Sequence, residues 1–186
     1  LEPLILVEMG REAATIVMLA AAGILAGASG LQRFCFFMIA FGIWDIFYYV
    51  WLWVILRWPE NLMTWDLLFY IPLPWVGPVI TPVLISVTMI AAGSILIFLA
   101  EKGYAIRWRW YDWVIELGCG FLLIVAFCWD WKNILRVPDG TPYSGIPNPF
   151  AWWLFLPAYL FALIYFAARL HETIRAGSGD APSKIP

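Results

Sequence analysis

Histidine and charge are both scarce in this sequence. His171 is the single histidine among 186 residues. A bis-histidine haem, a histidine-rich copper centre and an HExxH zinc site are therefore excluded within the chain. Lys, Arg, Asp and Glu together make up 13% of the residues, against about 25% in soluble domains. The net charge is −2, with no basic stripe and no interleaving of basic and aromatic residues, so nucleic acid is not an expected partner. Cysteine is limited to Cys35, Cys119 and Cys128. An odd number, all inside apolar runs, reads as small packing residues and not as a disulfide framework. Walker loops, GxGxxG turns and serine nucleophile elbows are missing. A Ser-His-Asp triad would have to recruit His171, and no serine has a setting for it. No cofactor is evident, although carboxylates alone can still bind a hard cation. The opening Leu1-Glu2-Pro3 has neither the basic region nor the cleavage site of a secretory signal, so the first apolar run is expected to be retained.

What the chain has in abundance is apolar surface. Hydrophobic residues make up 63% of it, and 13 Trp, 13 Phe and 8 Tyr bring the aromatics to 18%. A soluble core of this length cannot hide so much. Indole and phenol rings favour the membrane interface, where one edge is wet and the other dry. The expected fold is an all-α integral membrane protein, a bundle of about five transmembrane helices. The apolar runs predict spans at about 4–29, 34–56, 78–100, 113–131 and 150–170. Together they form one transmembrane helical domain over residues 1–175, with a flexible tail at 176–186. Pro78 and Pro82 open the third span, and Pro157 predicts a kink in the fifth. Gly23 and Gly27 form a GxxxG pair that lets a neighbouring helix approach closely, within the chain first and in a dimer second.

Two connections stand out. Residues 58–77 are too short and proline-rich to span, yet too apolar for a solvated loop. They read as an interfacial or re-entrant segment between spans 2 and 3, with Thr64 capping a short helix that Pro72 and Pro74 end. Within this segment Trp65, Phe69, Tyr70 and Trp75 can line a ligand mouth. Residues 132–149, rich in proline, read as an irregular loop outside the bilayer. Counting Lys and Arg gives one side Arg33, Lys102, Arg107, Arg109, Arg169, Arg175 and Lys184, and the other side Arg11, Arg57, Lys132 and Arg136. The richer side is expected to be cytoplasmic, with the N-terminus outside and the C-terminus inside.

Ionisable groups inside a span cost on the order of 2.5–3.5 kcal/mol each and tend to be functional. Asp45 is the clearest. It lies about 18 Å along the helix from both Arg33 and Arg57, too far to reach the interface. Tyr48 and Tyr49 follow at i+3 and i+4 on the same face. This grouping suits a proton relay, a cation ligand or a hydrogen-bond acceptor for a ligand. Glu8, Arg11 and Glu12 form a second cluster, with Glu8 and Glu12 on one helical face and Arg11 able to pair with either acid or with Asp45. Glu116 and Asp66 are secondary candidates. Of the Trp-Asp pairs at 44–45, 65–66 and 129–130, only Asp45 is placed where an aromatic belt does not account for it. The leading functional expectation is a non-enzymatic membrane subunit or binding module for a lipid, quinone, pigment or partner helix, alone, as a homo-oligomer or in a larger membrane complex. The first alternative is a proton- or cation-coupled carrier or channel switched at Asp45. The second is an intramembrane enzyme that acts on a lipid or isoprenoid with carboxylates as acid and base.

Overall fold

Apolar runs of helix length, punctuated by short polar or glycine-bearing turns, fold into five long helices in the computed structural model, which describes residues 2–71, 73–106, 108–129 and 150–179. These are α1 (Glu2–Ala26), α2 (Gly30–Leu56), α3 (Ile80–Glu101), α4 (Trp110–Cys128) and α5 (Trp152–Gly179). Each is long and apolar enough to cross a membrane. The chain divides into two compact units, residues 1–97 with 127–150, and residues 98–126 with 151–186.

In the first unit, α1 turns into α2 through three residues. Ser29 caps α2 by accepting from the Gln32 amide at 3.2 Å, while Gln32 Oε1 accepts from the amides of Ala28 and Ser29. This reciprocal box satisfies amides that would otherwise be orphaned at a helix start. At the far end Arg57 takes a left-handed conformation (φ 57°), and its N–H closes the helix on Trp53 O. Gly23 and Gly27 sit where α1 meets the start of α2. A Cβ at Gly23 would stand 2.7 Å from Arg33 O, so only glycine permits this approach. The crossing of α2 and α3 is as tight, since a Cβ at Gly42 would lie 2.6 Å from Ser86 O and one at Gly93 2.9 Å from Cys35 O.

Between α2 and α3 the chain forms strands, not the short helix that a Thr64 cap predicts. β1 (Trp65–Phe69) pairs antiparallel with β2 (Trp75–Pro78), in the register Trp65↔Pro78, Asp66↔Gly77, Leu67↔Val76 and Phe69↔Trp75, with an irregularity between Leu67 and Phe69. The reason is length and residue type. Trp-Asp-Leu-Leu-Phe is long enough for a strand, whereas a helix so short is marginal. Thr64 instead joins the preceding turn. Its Oγ1 accepts from the Asn61 amide, and its carbonyl accepts from Val79 N at 3.0 Å. Pro78 closes β2, and α3 begins two residues later, with Pro82 in its first turn where no amide partner is lost.

In the second unit, the start of α4 is tied to α5. Asp112 is fully buried and accepts from Arg109 N at 2.6 Å and from the Tyr165 hydroxyl. It also pairs with Arg169 Nε at 3.1 Å. Trp108 packs on Trp113 and Phe166 beside them. α5 continues through Pro157 to Gly179, so residues 176–179, which composition places in a tail, are helical. The proline-rich connection expected at 132–149 lies outside the described residues, as does Pro72.

Candidate functional site

On α1 and α2 the residues that face inward in the first unit are mostly small or polar. On α1 the buried positions are Glu12, Thr15 and Gly23, with Gly27 just past its end, and on α2 Cys35, Gly42, Asp45 and Tyr49. On α3 they include Pro82, Ser86 and Gly93. The 3.6-residue repeat puts each set on one stripe. Polar and small side chains converge there, while Val7, Leu25 and Ile55 are 69%, 87% and 71% exposed.

A cavity of about 100 Å³ lies among these stripes and the hairpin. Its wall contains Glu8, Arg11 and Glu12 from α1, Asp45, Tyr48 and Tyr49 from α2, Asp66 from β1 and Ser86 from α3. Phe41, Trp44, Phe69, Trp75 and Phe127 supply aromatic surface. The volume holds a few waters or one small polar group, at roughly 30 Å³ per water.

Each acid at the cavity has a partner of its own. Glu8 is paired with Arg11, whose Nε lies 3.0 Å and 3.1 Å from its two oxygens. Glu12, 2% exposed, accepts the Tyr70 amide at 3.0 Å on both oxygens, and so holds the tip of the hairpin. Asp45, 6% exposed, accepts from Ser86 Oγ at 2.7 Å across the tight α2–α3 crossing. Tyr49 donates its hydroxyl to Asp66 at 2.9 Å, which ties β1 to α2. The lining thus carries four carboxylates and one guanidinium, and the guanidinium is engaged by Glu8. Burial pushes the Asp66 carboxyl up to about 6, with Asp45 adding to the rise and the Tyr49 hydroxyl opposing it. The Tyr70 phenol is also raised, by burial first and then by Glu8 and Glu12. Among the described residues no group of three or more His, Cys, Asp or Glu is placed to hold a metal ion together.

An aromatic chain surrounds the polar groups. Ring centroids run from Tyr49 to Tyr48 at 5.3 Å, to Trp44 at 6.2 Å, to Phe69 at 6.4 Å, to Trp75 at 5.5 Å and to Phe127 at 5.9 Å. Trp75 lines the cavity, and its buried indole N–H has no hydrogen-bond partner among the described residues.

Of the residues singled out in the sequence, Glu8, Arg11, Glu12, Asp45, Tyr48, Tyr49, Asp66, Phe69 and Trp75 line this one cavity. Trp65 and Tyr70 do not. Trp65 packs edge-on against Phe150, and Tyr70 contributes its backbone amide to Glu12. Gly23 and Gly27 pack α1 on α2, away from the cavity wall. Glu116 belongs to the second unit, where it is half-buried with Oε1 unpartnered among the described residues. Ser86 escaped sequence reasoning, being one hydroxyl in an apolar run. Asp112 escaped it too, because Arg109 is not a cap-type residue and the spacing carries no capping-box signature. No protein-family model, curated protein or solved structure matches this chain.

Proposed function

We propose that the chain is a five-span integral membrane protein, N-terminus outside and C-terminus cytoplasmic, that serves as a binding module for a lipid-class ligand. Support for the membrane comes from the inverted distribution of its side chains. On α1 and α2 small and polar groups face inward and large apolar ones outward, the arrangement expected when hydrocarbon is the solvent. The Asp112–Arg169 pair joins the start of α4 to the last turns of α5, as it should if Arg109 and Arg175 share one face of the bilayer. A thiol placed at Asn61 should then react with an impermeant reagent from outside the cell. Labelling only after lysis would reverse the orientation.

The observation that carries the binding reading is the cavity itself. Three carboxylates, Glu12, Asp45 and Asp66, are held by neutral donors within aromatic walls, and among the described residues of the lining none of them has a cationic partner. Such a site favours a ligand that brings hydrogen-bond donors and can shed water on entry. The test is mass spectrometry of lipid extracts from the purified chain and from Asp45→Asn, which preserves shape. A species enriched with the native chain and depleted with the variant supports the reading. Identical extracts, matching bulk membrane, would overturn it.

A second reading, a proton-coupled carrier, is favoured by one observation. Asp66, with its carboxyl at about 6, shares a water-sized space with Asp45, Glu12 and Glu8. Difference infrared spectroscopy separates the two. A carboxyl band lost in Asp45→Asn that titrates between about pH 5 and 8 favours exchange, and a band fixed across that range favours binding.

A further inference from the structure

The cavity adjoins an apolar groove, with which it shares two lining residues. Trp44 and Tyr48 line both it and a channel of about 460 Å³ on the outer surface of α2, which proceeds past Trp51 and Leu52 to Ile55 and Leu56. These positions recur at three and four residues, so they form one stripe about 18 Å long. That is slightly more than the ~15 Å depth of one bilayer leaflet. The polar end of the path makes two demands. The carboxylates ask for a hydrogen-bond donor, and the buried Trp75 N–H asks for an acceptor. A hydroxyl meets both with a single oxygen, since it donates once and accepts twice. An ammonium group could only donate, which would leave the indole unpaired. A hydroxyl also adds no charge to a low-dielectric site.

We infer that the cavity takes the hydroxyl of a long-chain alcohol whose hydrocarbon lies along the outer stripe of α2, an inference that rests on reading the cavity as a ligand site. Such a ligand reaches the cavity sideways from the bilayer, past the stacked rings of Trp44 and Tyr48, and its oxygen sits between Trp75 and the acids.

The experiment is equilibrium binding to the chain in nanodiscs, referenced to empty nanodiscs, with farnesol, its methyl ether, farnesylamine and the short alcohol prenol as probes. Farnesol should bind about tenfold or more tightly than the ether, which lacks the donor, and than prenol, which lacks the chain. Trp75→Phe keeps an aromatic ring and removes the N–H, and should weaken farnesol about threefold to tenfold. Trp51→Ala, on the exposed stripe, should weaken farnesol while leaving prenol unchanged. Tighter binding of farnesylamine than of farnesol would overturn the hydroxyl assignment and leave the cavity reading standing. Equal affinity for prenol and farnesol would overturn the groove. If no probe binds, the cavity reading fails and the inference fails with it.

Discussion

Replacing Glu12 by alanine should release the tip of the β-hairpin. Glu12 is 2% exposed and spends both carboxylate oxygens on the Tyr70 amide, 58 residues along the chain. Hydrogen bonds to an ionised group are worth about 1.5–3 kcal/mol, and a buried amide left unpaired costs about 1–3 kcal/mol. Tyr70 is half-buried, so water repairs part of that loss. A cost of about 1.5 kcal/mol is the sound expectation, or roughly a tenfold rise in the open population of the hairpin. Glu12→Gln keeps an acceptor oxygen and should lose about half as much. Amide hydrogen exchange in detergent or nanodiscs reads this directly. Peptides covering residues 64–79 should exchange about tenfold faster in Glu12→Ala and about threefold faster in Glu12→Gln, with the middle of α5 unchanged. Exchange across the hairpin that matches the native chain in both variants would refute the argument, because the Glu12 contact would then carry no weight. A uniform rise everywhere would equally refute it, since the loss would be global and not a local unlatching.

Asp66 should give stability a defined pH dependence. Its folded carboxyl titrates at about 6 against an ordinary value of 3.8, so the folded state binds the extra proton between those limits. That contribution is full below about pH 4 and is lost as pH rises through 6. Thermal midpoints of the native chain should therefore fall across this window relative to those of Asp66→Asn, and parallel curves would count against it. Gly42→Ala brings a methyl to within 2.6 Å of a backbone oxygen on α3. It should destabilise the first unit by about 1–3 kcal/mol, seen as a lowered midpoint that the same change at Gly10, with open space around it, does not produce. Asp112→Ala removes the buried carboxylate that Arg169 pairs with and should cost on the order of 3 kcal/mol, whereas Asp112→Asn, which keeps one acceptor oxygen for Arg109 N or for the Tyr165 hydroxyl, should cost visibly less. Equal loss in the two would mean that the retained acceptor oxygen counts for nothing and that the lost charge carries the whole effect.

The five helices were legible in the sequence because an apolar run near twenty residues long is rarely anything but a helix; most ends shifted by two to four residues, while the last helix runs nine residues past the expected end, to Gly179. The hairpin was not. Its apolar stretch is too short for periodicity to separate strand from helix, and prolines that suit a helix stop serve equally well as strand and turn punctuation. Asp45 could be singled out because a carboxylate far from both ends of an apolar run needs a reason. Its neighbour Ser86 could not, because one hydroxyl among aliphatic residues costs little and signals nothing until two helices cross. Glu12 shows the same limit from the other side. Its helical face was readable from spacing, but its partner is a backbone amide, which has no sequence signature. Nor does spacing within α1 and α2 say which faces of the two helices meet. That is settled by Gly23 and Gly27, through the approach they permit to Arg33 and Phe37.

The close-packed turn between α1 and α2 has a consequence for synthesis. The two helices are joined by three residues and sealed by glycines, so if the chain spans a bilayer as proposed, they are suited to enter it as a preformed pair. Asp45 rides in with them, yet the serine that answers it lies 41 residues downstream. At about 5–20 residues per second, the carboxylate waits roughly 2–8 seconds for its partner to be made. During that interval α2 must stay inserted on the strength of its other apolar residues. On that reading the 27-residue length of this helix, longer than a bilayer requires, leaves it apolar residues to spare for carrying one buried acid before it is satisfied.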